Sequence, residues 1–278
     1  MDRLLADPKS GPVVAHQVLQ GLGLDQVISA SSGSAPIPAE LIEWYRRLGL
    51  NLLEGYGMTE DFAYSFTSTP EFNASGCVGI ALPGVEARIE DDGEILIKSP
   101  GQMLGYYKRP DLNAEVFTSD GFFHTGDKGE LQSNGLLRIT GRLKEIFKTS
   151  KGKFVAPAPI ENLLKAHPMI ESAMVSGVGQ PAPYALVVLS TEWRTKIDKA
   201  TSRGQVEVEL NRLLTDTNKQ LASYERLRMI VITPQPWSVE NGYLTPTMKI
   251  RRNRIESAVA EHLPNWYAEK KAILWEKS

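Results

Sequence analysis

Residues 54–61 read EGYGMTED. Two glycines, Gly55 and Gly57, flank Tyr56, and a hydroxyl and two acids follow at Thr59, Glu60 and Asp61. Backbone stripped of side chains on both sides of a ring suits neither a helix nor a strand interior. Two chemistries fit. One is a plain glycine turn at a strand end, with the acids at a helix start where they favour its dipole. The other is a nucleotide seat. Glycines let backbone approach a ligand, and Tyr56 offers a face to a base, with stacking worth roughly 1–3 kcal/mol. Thr59 can donate to a phosphate oxygen, and Glu60 can hold a magnesium ion, a hard cation that prefers oxygen.

Three further stretches carry residue types that could do chemistry. In DGFFHTGDKGEL, residues 120–131, TGD reads as a local turn with Asp127 bonding nearby backbone. It also reads as a carboxylate that accepts from both hydroxyls of a ribose, as in dinucleotide folds. His124 offers a general base, but between two phenylalanines and a turn the structural role is preferred. In ITGRLKEIFKTSKGKFVAPAPIE, residues 139–161, Arg142, Lys144, Lys148, Lys151 and Lys153 gather around Gly152. That is either a solvated hairpin face or a grip on a polyphosphate or phosphorylated cosubstrate. ENGYLTPTMKIRRNRIE, residues 240–256, is a polar, proline-bearing loop that brings Lys249 forward, where a positive charge can meet a reacting anion.

The elements that must position these stretches are legible in outline. DQVISAS is strand-like and runs into the small-residue turn SSGSAPIP. AELIEWYRRLGL has apolar residues at helical spacing, Leu41, Ile42, Trp44, Tyr45 and Leu48, with Gly49 as a stop. LNLLEGYG is a second strand. From Gly76 to Gly141, short alternating runs (VEARIE, GEILIKS, KGELQ, GLLRIT) separated by PG, DDG, SDG and SNG read as β-rich and barrel-like. Beyond GRLKE, PAPIENLLKAHP reads as a helix with Pro159 near its first turn. AMVSGVG and YALVVLS follow as strands, QVEVELNRLLTDTNKQLA as a helix and RLRMIVIT as a strand. The expected organisation is an α/β and α+β chain with two domains, 1–143 and 144–278, and a boundary at Lys144.

Composition narrows the class. The chain of 278 residues is 42% hydrophobic, 23% charged and 8% aromatic, ordinary for a globular protein. Its formal net charge of −2 gives no general nucleic-acid footprint, so no nucleic acid is expected as a partner. The single cysteine, Cys77, cannot form an internal disulfide and fits a reducing compartment. MDRLLADPKSGPVVAHQ has charges and a proline where a signal peptide needs an apolar run. No apolar stretch approaches the roughly 18 residues of a membrane span. The expected location is cytoplasmic, with peripheral membrane contact left open.

Taken in order, YGMTE, HTGD, GRLKE with KGKFVAPAPIE, and TPTMK resemble the adenylate-forming superfamily of acyl-CoA synthetases, luciferases and peptide-synthetase adenylation domains. Each pattern is weak alone. Together they span the chain from about Leu22 onward. EGYGMTE, FKTSKGKFVAPAPIE and NGYLTPTMK look most like the long-chain fatty acyl-CoA synthetase branch. The resemblance implies a fold made of the end of a large AMP-binding domain, an α/β piece plus a barrel-like subdomain, followed by a small mobile α+β domain. It implies that Tyr56 stacks on adenine, with Gly55 and Gly57 beside it, and that Thr59 contacts the AMP phosphate. Glu60 would help bind Mg2+. Gly33, Ser34, Ala35 and Pro36 would line the adenine and acyl side, Asp127 would hold the ribose diol, and Arg142 would reach ribose or phosphate. Lys144 matches the hinge. Lys151, Gly152 and Lys153 would face CoA in thioester formation, and Lys249 would bridge the substrate carboxylate and α-phosphate. The implied substrates are a fatty acid, ATP and CoA, with acyl-AMP as intermediate and AMP and pyrophosphate as products.

The sequence also departs from that pattern. Such enzymes carry a Ser/Thr/Gly-rich phosphate loop ending in Pro-Lys upstream of YGMTE. SASSGSAPIP, residues 29–38, has no second glycine and no lysine and lies too near YGMTE to be that loop. The chain is therefore expected to be the C-terminal half of such an enzyme, with an N-terminal half as a missing partner and with activity in isolation left open. Lys151 stands where long-chain members often carry a first glycine, and Met248 stands before Lys249 where much of the superfamily has glycine. Two alternatives remain beside the CoA ligase: a non-catalytic nucleotide-binding fragment, and a fatty acyl-AMP ligase that delivers to a carrier protein.

Overall fold

The computed structural model describes residues 5, 7, 8, 10–197 and 200–276. The chain divides into two compact units, Met1–Leu143 and Lys144–Ser278. In the first, helix α1 (Gly11–Gly21) starts on Pro12, whose fixed φ and missing N–H suit a first turn. Strand β1 (Ala30–Ser32), helix α2 (Ala39–Arg47) and strand β2 (Leu52–Tyr56) follow, and β1 pairs parallel with β2, Ser31 opposite Leu53. Parallel neighbours need a crossover, and α2 supplies it by burying Ile42, with Leu48, Leu50 and Leu52 closing the connection. Gly49, at φ +88°, ends the helix as expected. The first strand is shorter than DQVISAS suggests. Ile28 is fully exposed, and pairing begins only at Ala30, where β2 provides a partner.

Strands β3 (Phe66–Thr67) and β4 (Ile80–Ala81) extend this sheet antiparallel in the order β1-β2-β3-β4. The turn-rich stretch after it folds as an antiparallel meander of β5 (Glu86–Ile89), β6 (Glu94–Lys98), β7 (Phe123–Leu131) and β8 (Leu137–Arg142). A short helix α3 (Pro110–Val116), unexpected from the residue pattern, lies between β6 and β7. Phe66, Ile95, Ile97 and Leu137 form one buried cluster, with Tyr56, Val78 and Ile139 packed against it, so the two sheets share a core. The local-turn reading of Thr125–Asp127 does not hold. These residues lie inside β7, where Thr125 Oγ1 donates to the Ile95 carbonyl at 2.7 Å.

The second unit opens with a hairpin of β9 (Phe147–Lys148) and β10 (Phe154–Val155). Helix α4 (Pro157–Lys165) carries prolines in its first turn. A four-stranded sheet of β11 (Ile170–Ser176), β12 (Tyr184–Leu189), β13 (Ile230–Ile232) and β14 (Ile273–Trp275) is antiparallel between β11 and β12 and parallel thereafter. Every residue of β12 is buried, which explains the unbroken apolar run YALVVL. Ala185, Val187 and Leu189 face one cluster with α4 and with helix α6 (Ala200–Gln220), beside the short α5 (Thr191–Ile197). Tyr184, Leu186 and Val188 face a second cluster with α7 (Arg252–Val259) and α8 (Leu263–Ala268). Both of those helices and β14 escaped the sequence reading. In RRNRIESAV, residues 251–259, the two buried positions, Ile255 and Val259, stand among charged and small residues.

Two predictions follow from this packing. Leu186 is fully buried in the middle of the β12 strand. Leu186→Ala is expected to cost about 2–5 kcal/mol, read as a lower urea midpoint in tryptophan fluorescence. A loss under about 1 kcal/mol would contradict the two-sided burial of β12.

The second concerns Glu54, buried on β2 beside the turn. Burial pushes its carboxyl up to about 7 from an ordinary value of 4.5, against the lowering charge of Arg46. Because the folded state holds this proton more tightly than the unfolded chain, its contribution to stability is full below about 4.5 and is lost as pH rises through about 7. Glu54→Gln should flatten that fall, removing a decline on the order of a few kcal/mol in denaturation midpoints across the range. An unchanged slope in the glutamine variant would show that other groups carry it.

Candidate functional site

Because β1 and β2 run parallel, their C-terminal ends lie side by side, and two small-residue turns leave them together. Gly33, Ser34, Ala35 and Pro36 leave β1, while Gly55, Tyr56 and Gly57 end β2. A Cβ added to Gly33 would stand 3.2 Å from the Gly55 carbonyl oxygen, so the two turns touch. Ligands of α/β folds bind outside the carboxyl ends of parallel strands, which is where Gly33–Pro36 lie exposed. Gly57 is required by a close approach, since a Cβ there would meet Ala63 Cα at 2.6 Å.

The chain then makes one 3-10 turn, Thr59–Asp61, which leaves Thr59 exposed and Glu60 half-buried. Asp61 is buried. Its Oδ1 accepts from the Met58 N–H at 2.8 Å and its Oδ2 accepts from the Ser65 hydroxyl. The second acid therefore builds the turn and does not face a ligand. Phe62 and Ala63 follow in the left-handed region, at φ 59° and 55°. That conformation costs a non-glycine residue roughly 1–2 kcal/mol, and such strain persists where surrounding bonds over-determine it, most often at functional sites.

Asp127, on β7, is buried and receives two donors. The Tyr56 hydroxyl donates to Oδ2 at 2.8 Å, and Arg142 Nε on β8 donates to Oδ1 at 2.8 Å. Three residues predicted from separate stretches thus meet at one carboxylate. Burial, reinforced by the Asp127 charge, pushes the Tyr56 phenol well above its ordinary value, so it stays a donor at neutral pH. A carboxylate has about four lone-pair sites, so two remain for a diol. His124 lies outside this arrangement. Its Nδ1 sits 2.9 Å from Glu94 Oε2, whose other oxygen accepts from the Gly126 N–H, a bracket within the meander.

In the second unit, Lys144 is exposed on the 3-10 turn Leu143–Glu145. Lys151, Gly152 and Lys153 form the exposed tip of the β9–β10 hairpin, with Gly152 at φ +77° where its N–H reaches the Thr149 carbonyl at 2.9 Å. Lys148 and Lys153 hold their ammonium groups 5.3 Å from the Phe154 ring and 5.8 Å from the Tyr224 ring. Lys249 is exposed at the end of a tight loop whose base is the Leu244–Ile250 bridge. Its N–H donates to Thr245 Oγ1 at 3.0 Å. Met248 adopts φ 62°, the left-handed position that explains a preference for glycine at this point.

The structure thus gathers Gly33–Pro36, Gly55–Gly57, Asp127 and Arg142 in the first unit, with Thr59 and Glu60 on the adjoining turn. The lysines and Gly152 belong to the second. Sequence reasoning missed Tyr106, whose hydroxyl donates to Glu60 Oε1 at 2.9 Å, and gave no role to Glu54. Neither carries a local pattern: YYK and LLE look like any surface or strand segment. No group of three or more His, Cys, Asp or Glu side chains among the described residues could hold a metal ion. Glu60 alone fits magnesium only in the mode where substrate phosphates supply the other oxygens. Among those residues no helix is long and apolar enough to cross a membrane.

Family models support the same frame. An AMP-binding enzyme model matches residues 1–107, and a model of the C-terminal domain of AMP-binding enzymes matches residues 144–271. The chain is 35% identical over 253 residues to the long-chain-fatty-acid–CoA ligase FadD15 of Mycobacterium bovis, covering 86% of this chain and 42% of that protein. It is 30% identical to long chain acyl-CoA synthetase 3 of Arabidopsis thaliana, covering 96% of this chain and 44% of that one. Among solved structures, the A domain of carboxylic acid reductase from Segniliparus rugosus, bound to AMP and a co-purified carboxylic acid, superimposes with a TM-score of 0.74. The two share 27% identity over 97% of this chain and 44% of that one. The chain spans a little under half the length of the curated relatives it matches. With its strand-end turns and small second unit, it belongs to the AMP-binding, adenylate-forming enzyme family.

Proposed function

We propose that this chain carries the AMP-holding and acyl-transfer side of an ATP-dependent ligase that converts a long-chain fatty acid to its CoA thioester. The observation that supports this best is the meeting of Tyr56, Asp127 and Arg142 at the C-terminal end of β2. In this reading the ribose hydroxyls donate to the free lone pairs of Asp127, and Arg142 lies beside them with a positive charge. Adenine lies against the Tyr56 ring at the two glycine turns, and Thr59 reaches the α-phosphate. Glu60 would hold Mg2+ together with phosphate oxygens, and the ion would neutralise charge on the nucleotide as pyrophosphate leaves.

Two half-reactions follow. A fatty-acid carboxylate oxygen attacks the α-phosphorus of ATP, the bond to the β-phosphate oxygen breaks, and pyrophosphate departs, leaving acyl-AMP. The CoA thiol then gives up its proton, its sulfur attacks the acyl carbonyl, and AMP leaves with its phosphate oxygen. Lys249 serves the first step by placing a cation between the carboxylate and the α-phosphate. Lys144 acts as the hinge that withdraws that loop, and the Lys151–Lys153 hairpin serves the second step. Grip on the β- and γ-phosphates would come from an N-terminal half, as the length of the relatives suggests. Carriage of the acyl group to a carrier protein in place of CoA is the competing acceptor.

The test is a pair of half-reactions on this chain joined to an N-terminal half of a relative. Lys249→Ala should abolish palmitate-dependent pyrophosphate exchange while sparing, within about tenfold, thioester formation from preformed palmitoyl-AMP. Equal loss in both would remove Lys249 from the adenylation step. On the chain alone, Asp127→Ala should weaken AMP binding by roughly tenfold or more in calorimetry. Unchanged affinity would take the ribose away from Asp127.

A further inference from the structure

Glu60 is gripped from two sides by one segment. The Tyr106 hydroxyl donates to its Oε1 at 2.9 Å, and the Met103 N–H donates to its main-chain carbonyl at 2.7 Å. Tyr106 is itself held by a second side chain. Asn113, on α3, accepts from the Tyr106 N–H through Oδ1 at 2.7 Å and donates to the Tyr106 carbonyl through Nδ2 at 3.2 Å. This bracket needs the residue before Tyr106 to be glycine. Gly105 sits at φ +142°, and a Cβ there would fall 2.7 Å from Asn113 Nδ2. The bonds therefore run in series from Asn113 to the Tyr106 peptide, through the Tyr106 ring, to one oxygen of Glu60. Glu60 Oε2 has no hydrogen-bond partner among the described residues.

We propose that Tyr106, locked by Asn113, is the positioning residue that presents Glu60 Oε2 to a divalent cation. The proposal rests on the reading of Glu60 given above. A free glutamate loses rotamer entropy when it is fixed in one pose. A hydrogen bond to a charged carboxylate, about twice as strong as a neutral one, fixes that pose before any ion arrives. A half-buried tyrosine could satisfy its hydroxyl with water. Using it on this one carboxylate, through a glycine at φ +142° and a two-point asparagine bracket, is the arrangement expected of a support for a metal ligand.

The test uses this chain with Mn2+ and ATP, reading bound Mn2+ by electron paramagnetic resonance, and metal-free AMP binding by calorimetry as a control. Tyr106→Phe and Asn113→Ala are expected to weaken Mn2+ binding in the nucleotide complex by roughly 10- to 100-fold. Metal-free AMP affinity and slow exchange of the Met103 N–H should be unchanged, which excludes a merely unfolded loop. Glu60→Gln should lose Mn2+ at least as completely. Wild-type Mn2+ affinity in Tyr106→Phe, with loss in Glu60→Gln, would overturn the positioning role and leave the Glu60 reading intact. Wild-type affinity in Glu60→Gln, or no nucleotide-dependent Mn2+ binding by the wild type, would overturn both.

Discussion

The first unit depends on one buried carboxylate. Asp127 accepts from a tyrosine 71 residues before it and from an arginine 15 residues after it, and so ties the end of the parallel β1–β2 pair to the meander. The two sheets also share an apolar core, but Phe66, Ile95, Ile97 and Leu137 are interchangeable in kind with other apolar residues. The Asp127 contacts are directional. They set where the Tyr56 ring lies relative to the mouth formed by the two glycine turns, to within hydrogen-bond tolerance. A buried carboxylate with two charge-assisted or phenolic donors is stable as it stands, yet it keeps lone pairs that only further hydroxyls or waters can use.

Backbone strain sits next to these contacts in the first unit and beside Lys249 in the second. Phe62 and Ala63 are left-handed immediately after the Thr59–Asp61 turn, and Met248 is left-handed immediately before Lys249. In the first case the constraint is visible: Asp61 bonds Met58 before the turn and Ser65 after the two left-handed residues, and Gly57 packs against Ala63 Cα with no room for a side chain. In the second, the Leu244–Ile250 bridge and the bonds that Thr245 makes to Met248 and Lys249 close a loop too short to avoid one left-handed residue. Both loops present an exposed polar or charged residue, Thr59 or Lys249, on backbone that pays conformational energy to be rigid.

What was legible in the sequence and what was not divides along physical lines. Helices and strands with one buried face and a clear terminator, such as 39–47 and the β12 run, were readable because period and punctuation agree. Helices α7 and α8 were not, because short elements that bury two or three side chains leave too few apolar positions to show a period. The TGD segment looked like a turn by composition and is a strand, since its Thr125 side chain bonds backbone of the neighbouring strand as well as the Asp127 N–H of its own. Tyr56, Asp127 and Arg142 could each be singled out, but their meeting at one carboxylate is a fact of sheet register, Asp127 opposite Arg142 and Tyr56 opposite Phe66. Tyr106 was invisible because its significance lies wholly in a contact 46 residues away.

The three acids of EGYGMTED show why residue type alone could not assign roles. Glu54 lies inside the sheet, where burial favours the neutral acid. Asp61 lies inside the turn, where an N–H and a hydroxyl occupy its two oxygens. Glu60 lies between them in sequence, yet only one of its oxygens is engaged, and by a donor that comes from another loop. Within eight residues the same functional group is thus a latent proton store, a structural cap and a carboxylate with one oxygen left unbonded. The difference is set by strand alternation and by one turn of 3-10 helix, which send consecutive side chains into different surroundings. A shift of one residue in that turn would put Glu60 in the place of Asp61, or Asp61 in the place of Glu60. The bonds of Asp61 to Met58 and Ser65, and the glycine at 57 that lets Ala63 approach, hold the turn in that register against the strain at Phe62 and Ala63.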